Sequence, residues 1–168
     1  MKISGIVCSP RKEGNTELMM IEALNAAKES AAANLVEIDT NLILAAGKTI
    51  APCDHCRSCV KSGICHIKDD MQSIYQALEA ADAVIFGTPV YFHNVTAQAK
   101  AIMDRTYSLL QEKKLRGKVA GSIVVTRRIG AAQTRNLLYG FFLAHNMIAV
   151  PAGIGYGREK GEVIDGVG

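Results

Sequence analysis

Tryptophan is absent from this 168-residue chain, and aromatic residues of all kinds make up only 5% of it. A surface that stacks nucleic-acid bases needs such rings in numbers, so their scarcity argues against that class of function. Charge points the same way. A net charge of +3 with no clustered run of lysine and arginine leaves no electrostatic footprint for nucleic acid. Long apolar runs are missing too: the opening MKISGIVCSP is too short and too interrupted for a secretory core or a membrane span. The expectation is a cytoplasmic protein with reduced thiols and neither a nucleic-acid nor a membrane partner. Repeats, low-complexity tracts and an interdomain linker are also lacking, so residues 1–168 read as a single domain. With 49% hydrophobic and 21% charged residues, that domain has an ordinary core.

What is present alternates. Lys2–Cys8 reads as a strand, followed by a polar loop, and Glu17–Ala33 spaces Met20, Leu24, Ala27 and Ala31 on one helix face. Asn34–Ile38 reads as a second strand and residues 41–50 as an irregular, partly apolar insertion. A cysteine-bearing loop follows, and then a helix capped by Asp69 or Asp70 and running to Ala81. Ala83–Phe86 is a third strand. Asn94 is expected to cap a helix with Val95, Ala99, Ile102, Thr106 and Leu109 on one face. Val119–Val125, Ala131–His145 and Met147–Val150 complete the pattern as strand, helix and strand. Apolar strands alternating with helices imply a five-stranded, doubly wound parallel α/β sheet covered on both faces. Ligands of such sheets bind beyond the carboxyl ends of the strands. The residues after the fifth strand show no helical face, so the last helix is either absent or beyond the sequence. Gly153–Gly157 reads as a flexible turn.

Three loops therefore hold the functional candidates. Ser9-Pro10-Arg11-Lys12-Glu13-Gly14-Asn15-Thr16 joins a strand to a helix start, where hydroxyls, backbone N–H groups and the helix dipole make an anion pocket. Arg11 adds a fork of donors suited to phosphate. The competing reading makes Asn15 and Thr16 plain helix caps. Neither G-K-[ST] nor G-x-G-x-x-G is present, which excludes the nucleotide loops those motifs mark. The second loop, Thr88–Asn94, is a stiff turn carrying Tyr91 and Phe92. The third, Thr126–Gln133, carries Arg127 and Arg128.

The strongest local signal is PCDHCRSCVKSGIC, which places Cys53, Cys56, Cys59 and Cys65 in the spacing C-x2-C-x2-C-x5-C. Cysteines this close in a tight run pair poorly as disulfides, and a domain of this size has no need of staples. Thiolates suit zinc and iron–sulfur clusters alike. Structural zinc sites usually set two knuckles apart by a longer spacer. Three cysteines at every third residue instead follow the bacterial ferredoxin pattern, and the x5 gap lets Cys65 close the same [4Fe–4S] cluster. Zinc stays the alternative, with His55 and His66 as spare ligands. Cys8 stands apart as a small buried thiol.

The stretches GIVCSPRKEGNT and GTPVYFHNVTAQAKAIMDR resemble the NADPH-dependent FMN reductase branch of the flavodoxin-like proteins. That resemblance implies the strand order 2-1-3-4-5 and one FMN. Ser9, Arg11, Asn15 and Thr16 would hold its phosphate, and Pro89, Val90, Tyr91 and Phe92 would border its ring. Thr126, Arg127 and Arg128 would approach the ring or ribityl chain, where a cation favours an anionic reduced flavin. With the cysteine motif inserted after strand two (residues 41–68), the whole chain resembles the iron–sulfur flavoproteins. The resemblance implies a homodimer or homotetramer in which ferredoxin donates single electrons through the cluster to FMN. The final acceptor would be small: dioxygen, hydrogen peroxide or a quinone-like compound. The rival readings are an NAD(P)H-dependent FMN or quinone reductase with a structural zinc loop, and a redox-sensing binding protein.

Overall fold

Alternate residues of the strands serve opposite layers. In β1 (Lys2–Val7), Ile6 packs with Phe86, Ala120 and Val124 on one face, while Ile3 and Val7 meet Ile123 and Val125 on the other. The computed structural model describes residues 1–165. Strands β2 (Asp39–Leu44), β3 (Ala83–Pro89), β4 (Val119–Thr126) and β5 (Ile148–Ala149) give a parallel sheet of order β2-β1-β3-β4-β5. One face is covered by α1 (Asn15–Ala33) through Met20 and Leu24. The other layer carries α3 (Met71–Ala80), α4 (Ala97–Arg105), α5 (Tyr107–Leu110) and α6 (Ala131–Ala144). Phe86 and Phe142 sit fully buried in it at 6.3 Å in edge-to-face contact, each worth about 2–3 kcal/mol of burial.

Four expectations need correction. The second strand is Asp39–Leu44, not Asn34–Ile38, so part of the supposed insertion belongs to the sheet. Residues 34–36 instead close α1. Leu35 takes a left-handed φ of 55° while Val36 N–H bonds Ala31 O and Leu35 N–H bonds Ala32 O. This is a Schellman cap with leucine where glycine is usual. Gly153–Tyr156 is not a loose turn but a strand, β6, paired with the upper half of β4. Ala149 pairs Ala120 and Gly153 pairs Ile123, so four steps on this side face three on β4. Pro151, which has no N–H, lies in the resulting bulge. A one-turn helix, α7 (Glu162–Asp165), then forms where no helix was expected.

The fourth correction concerns α4. Its cap is Thr96, whose hydroxyl accepts Ala99 N–H at 3.1 Å, while the Asn94 side chain accepts from Val95 N–H, ahead of the helix. The helix breaks at Thr106, where the side-chain hydroxyl turns back to Met103 O at 2.6 Å and competes with the backbone ladder. Of the two aspartates expected at the start of α3, Asp70 is the N-cap, without a side-chain cap bond, and Asp69 before it accepts Met71 N–H. Among the described residues no helix is long and apolar enough to cross a membrane.

Candidate functional site

The carboxyl ends of β1, β3 and β4 open into a cleft of ≈ 280 Å³. Of the loop residues singled out in the sequence, Ser9, Arg11, Asn15, Thr16, Pro89, Val90, Tyr91, Thr126 and Arg127 all line it. Phe92 and Arg128 do not. They border a shallower depression beside it with His93 and Ile129.

The cleft is anchored by hydrogen bonds between loops. Cys8 N–H bonds Gly87 O, Thr96 Oγ1 donates to Cys8 O at 2.6 Å, and Val90 N–H bonds Val125 O at 2.7 Å. Thr96 and Cys8 are fully buried, and burial pushes the Cys8 thiol far above its ordinary pKa, so this cysteine is inert packing. Residues Tyr91–Asn94 form a tight hairpin turn in which Phe92 (φ 49°) and His93 (φ 62°) are both left-handed. That geometry throws Phe92 entirely into solvent. Gly130, with φ 94°, fits under the same turn, and a Cβ there would lie 2.7 Å from Val90 Cγ1.

At the first loop, α1 begins after Gly14 with no side-chain cap. Glu17 N–H already bonds Gly14 O at 2.9 Å, while the N–H groups before it have no carbonyl within the helix to reach and carry the positive end of its dipole. Ser9 is buried and accepts Arg11 N–H, while Thr16 is buried at the cleft wall. Asn15 is not a cap. Its amide donates to Glu159 O and accepts Gly161 N–H, both at 2.7 Å, which ties the segment after β6 to this loop. That segment supplies two cations the sequence reading missed. Arg158 and Lys160 line the cleft, and Lys160 pairs with Glu13 at 2.9 Å. Their alternation directly after a strand end is the available signal, hidden because the glycines of β6 look like a turn.

The cysteine run makes the second site. Cys53, Cys56, Cys59 and Cys65 line one cavity with Asp104, Arg105 and Tyr107 from the α4–α5 junction. Cys59 sits on a short helix, α2 (Ser58–Ser62), where the sequence pattern predicts only loop. Its thiol is pushed up by burial first, then by the charges of Cys65, Cys56 and Cys53. A thiol whose ionisation is opposed in this way is relieved when a cation takes the thiolate. Backbone strain gathers here as well. His55 and Arg57, on either side of Cys56, are both left-handed. Of the eight described non-glycine residues with positive φ, five lie in these loops: Glu13, His55, Arg57, Phe92 and His93. Conformations that cost about 1–3 kcal/mol each persist where surroundings and function over-determine them. Asp54, Cys56 and His66 also bring ligand atoms within 4.8 Å of one another at the exposed rim. Asp54 is held below the usual carboxylate range by Cys56 N–H and then by His66, 2.7 Å away.

Known proteins match this chain along most of its length. The family model described as NADPH-dependent FMN reductase matches residues 1–159. An iron–sulfur flavoprotein of Methanocaldococcus jannaschii is 40% identical over 96% of this chain and 86% of its own. One from Methanosarcina thermophila is 37% identical over 89% of this chain and 77% of its own. Among solved structures, the Trp repressor binding protein of Bacillus subtilis superposes with a TM-score of 0.67 at 18% identity. It covers 97% of this chain and 89% of its own, a likeness of fold.

Proposed function

The chain belongs to the NADPH-dependent FMN reductase family and to the iron–sulfur flavoproteins, and from that membership we propose an electron-transfer flavoprotein in which the cysteine cavity feeds the cleft. It is a flavin-dependent oxidoreductase. FMN supplies a two-electron store that also exchanges single electrons, and a [4Fe–4S] cluster supplies a one-electron relay. The observation that carries this reading is the convergence of all four cysteines on one cavity lined with strained backbone.

The residues have separable tasks. Ser9, Arg11, Thr16 and the uncapped start of α1 bind the phosphate, while Asn15 holds the Glu159–Gly161 segment against the loop. Pro89, Val90 and Tyr91 border the ring, with Thr126 and Arg127 on the β4 side. Phe92 and Arg128 face outward, placed to meet another chain in a homodimer or homotetramer. Cys53, Cys56, Cys59 and Cys65 bind the cluster. A ferredoxin is the proposed donor, and dioxygen, hydrogen peroxide or a quinone-like compound the acceptor.

Anaerobically purified protein is expected to be brown, with about four iron and four sulfide per chain alongside flavin bands. Reduced ferredoxin should bleach both chromophores. A yellow protein holding zinc, bleached directly by NADPH, would replace this reading with the quinone-reductase one. The flavin side has its own check. Gly130→Ala strains a left-handed position and drives into Val90, at a cost of about 1–3 kcal/mol. Flavin titration should show FMN held roughly tenfold more weakly. Unchanged affinity would remove Val90 from the site.

A further inference from the structure

Arg105 ends α4 beneath the cysteine run, and its side chain is wholly buried. Nη1 donates to Ala51 O at 2.9 Å and to Asp69 Oδ2 at 2.8 Å. Nη2 donates to Ile67 O at 3.2 Å and to Asp69 Oδ1 at 3.1 Å. Ala51 precedes Cys53, and Ile67 follows Cys65. One guanidinium therefore clamps both ends of the cysteine loop. Of its five N–H donors, only Nε–H is left over, and that atom is buried without a partner among the described residues. An unmade hydrogen bond from a buried charged group is costly, so such an atom marks a place where something else belongs. Arg105 lines the cavity that holds all four cysteines. Cys65 lines that cavity too, and it shares a neighbouring depression with Tyr75, whose hydroxyl donates to Arg105 O at 2.9 Å.

We propose that Arg105 positions and tunes the cysteine-bound centre. Its four Nη bonds fix the loop ends, and its spare Nε–H would serve as a donor to sulfur in the cysteine cavity, favouring the reduced state. This rests on the cluster ligation proposed above. Reduction there takes one electron from a one-electron protein donor and moves no proton at Arg105, whose charge is fixed. The centre becomes more negative by one unit, and the adjacent buried cation attracts it more strongly in the reduced state than in the oxidised one. Asp69, the counter-charge on the far side of the guanidinium, opposes that effect. A hydrogen-bond donor aimed at cluster sulfur and the local net charge are the terms through which a protein sets such a potential.

The test uses the anaerobic holoprotein and the variants Arg105→Gln, Arg105→Lys and Asp69→Asn. Iron and sulfide content, melting temperature and a redox titration followed by low-temperature EPR are measured on each. Removing the cation should make the centre about tenfold harder to reduce, a fall of ~59 mV for a one-electron couple. Asp69→Asn should shift it the opposite way, and Arg105→Lys should fall between wild type and Arg105→Gln. The flavin potential should hold still in all three. A brace with no electrostatic part would lower melting temperatures without opposite-signed shifts, and that result overturns the proposal. Should Arg105→Gln fail to fold, Arg105→Lys decides: it keeps the charge and loses Nε–H, so a potential equal to wild type overturns the donor role. A loaded wild type with unmoved potentials defeats this inference only, whereas a wild type without iron defeats the ligation reading beneath it.

Discussion

Cys65→Ala is expected to yield a folded, yellow protein that keeps its flavin and loses its iron and sulfide. The fourth cysteine lies six residues beyond the third, past α2 and the left-handed Gly63, yet it lines the same cavity. Its removal takes away one of four thiolates. Changes in mere outer-shell partners already cost a metal site about 10–100-fold in affinity. Loss of a ligand should do at least as much, leaving iron roughly a tenth of wild type or lower. The fold has little reason to suffer. Cys65 is only half-buried at the margin of the core, and alanine keeps its Cβ, so the melting temperature should barely move. Cys8→Ala provides the contrast: Cys8 is buried directly after β1, does not line the cavity, and its loss should leave iron untouched. Full iron in Cys65→Ala would show that another group, such as His66, occupies the fourth corner.

Asp69→Ala should be the most damaging single change for stability. Its side chain is 7% exposed and faces the wholly buried Arg105. Breaking a buried pair by removing one partner strands the other charge, typically at a cost of 3–5 kcal/mol. Asp69 also accepts the N–H groups of Ala51 and Met71, so the loop end and the start of α3 loosen together. At about 2–4 °C per kcal/mol for a domain of this size, the melting temperature should fall by roughly 10 °C. The effect carries a pH signature. Burial opposes the Asp69 carboxylate, but bonds from Arg105, Ala51 N–H and Met71 N–H outweigh it and hold its pKa below the ordinary value. A depressed folded pKa contributes stability in full above the unfolded value near 4, and that contribution is lost as pH falls through the folded value. The gap between wild type and Asp69→Ala should therefore narrow in melts below about pH 4. An equal gap at pH 7 and pH 2.5 would rule out the ionised carboxylate as its source.

The layered sheet and the three loops of the cleft were legible because they rest on local pattern: short apolar strands, helix faces of period 3.6 and polar connections. What escaped the sequence had non-local causes. Leu35 and Val36 are apolar and look like strand, yet the cap of α1 claims their N–H groups and leaves Leu35 in solvent. Gly153–Tyr156 looks like a turn because of its glycines, and only β4 beside it makes it a strand. Arg105 reads as the end of a helix. Its importance comes from partners 36, 38 and 54 residues away. Asn15 was picked out for the right place and the wrong bond, since its partners lie some 145 residues downstream. Of the four cysteines, spacing gave the set, and the cavity brings them together.

The interruption at Pro151 has a consequence for how these molecules behave in a crowded solution. A parallel sheet that ends in a long, straight strand offers a ladder of free amides on which another chain can polymerise. Here that margin is made of a two-residue piece and a four-residue piece, out of step by one residue and separated by a proline with no donor to give. Any foreign strand that began to pair along β5 would lose register before reaching β6. The same insertion that brings Gly157, Arg158 and Lys160 up to the cleft therefore also guards the sheet against growth at that side.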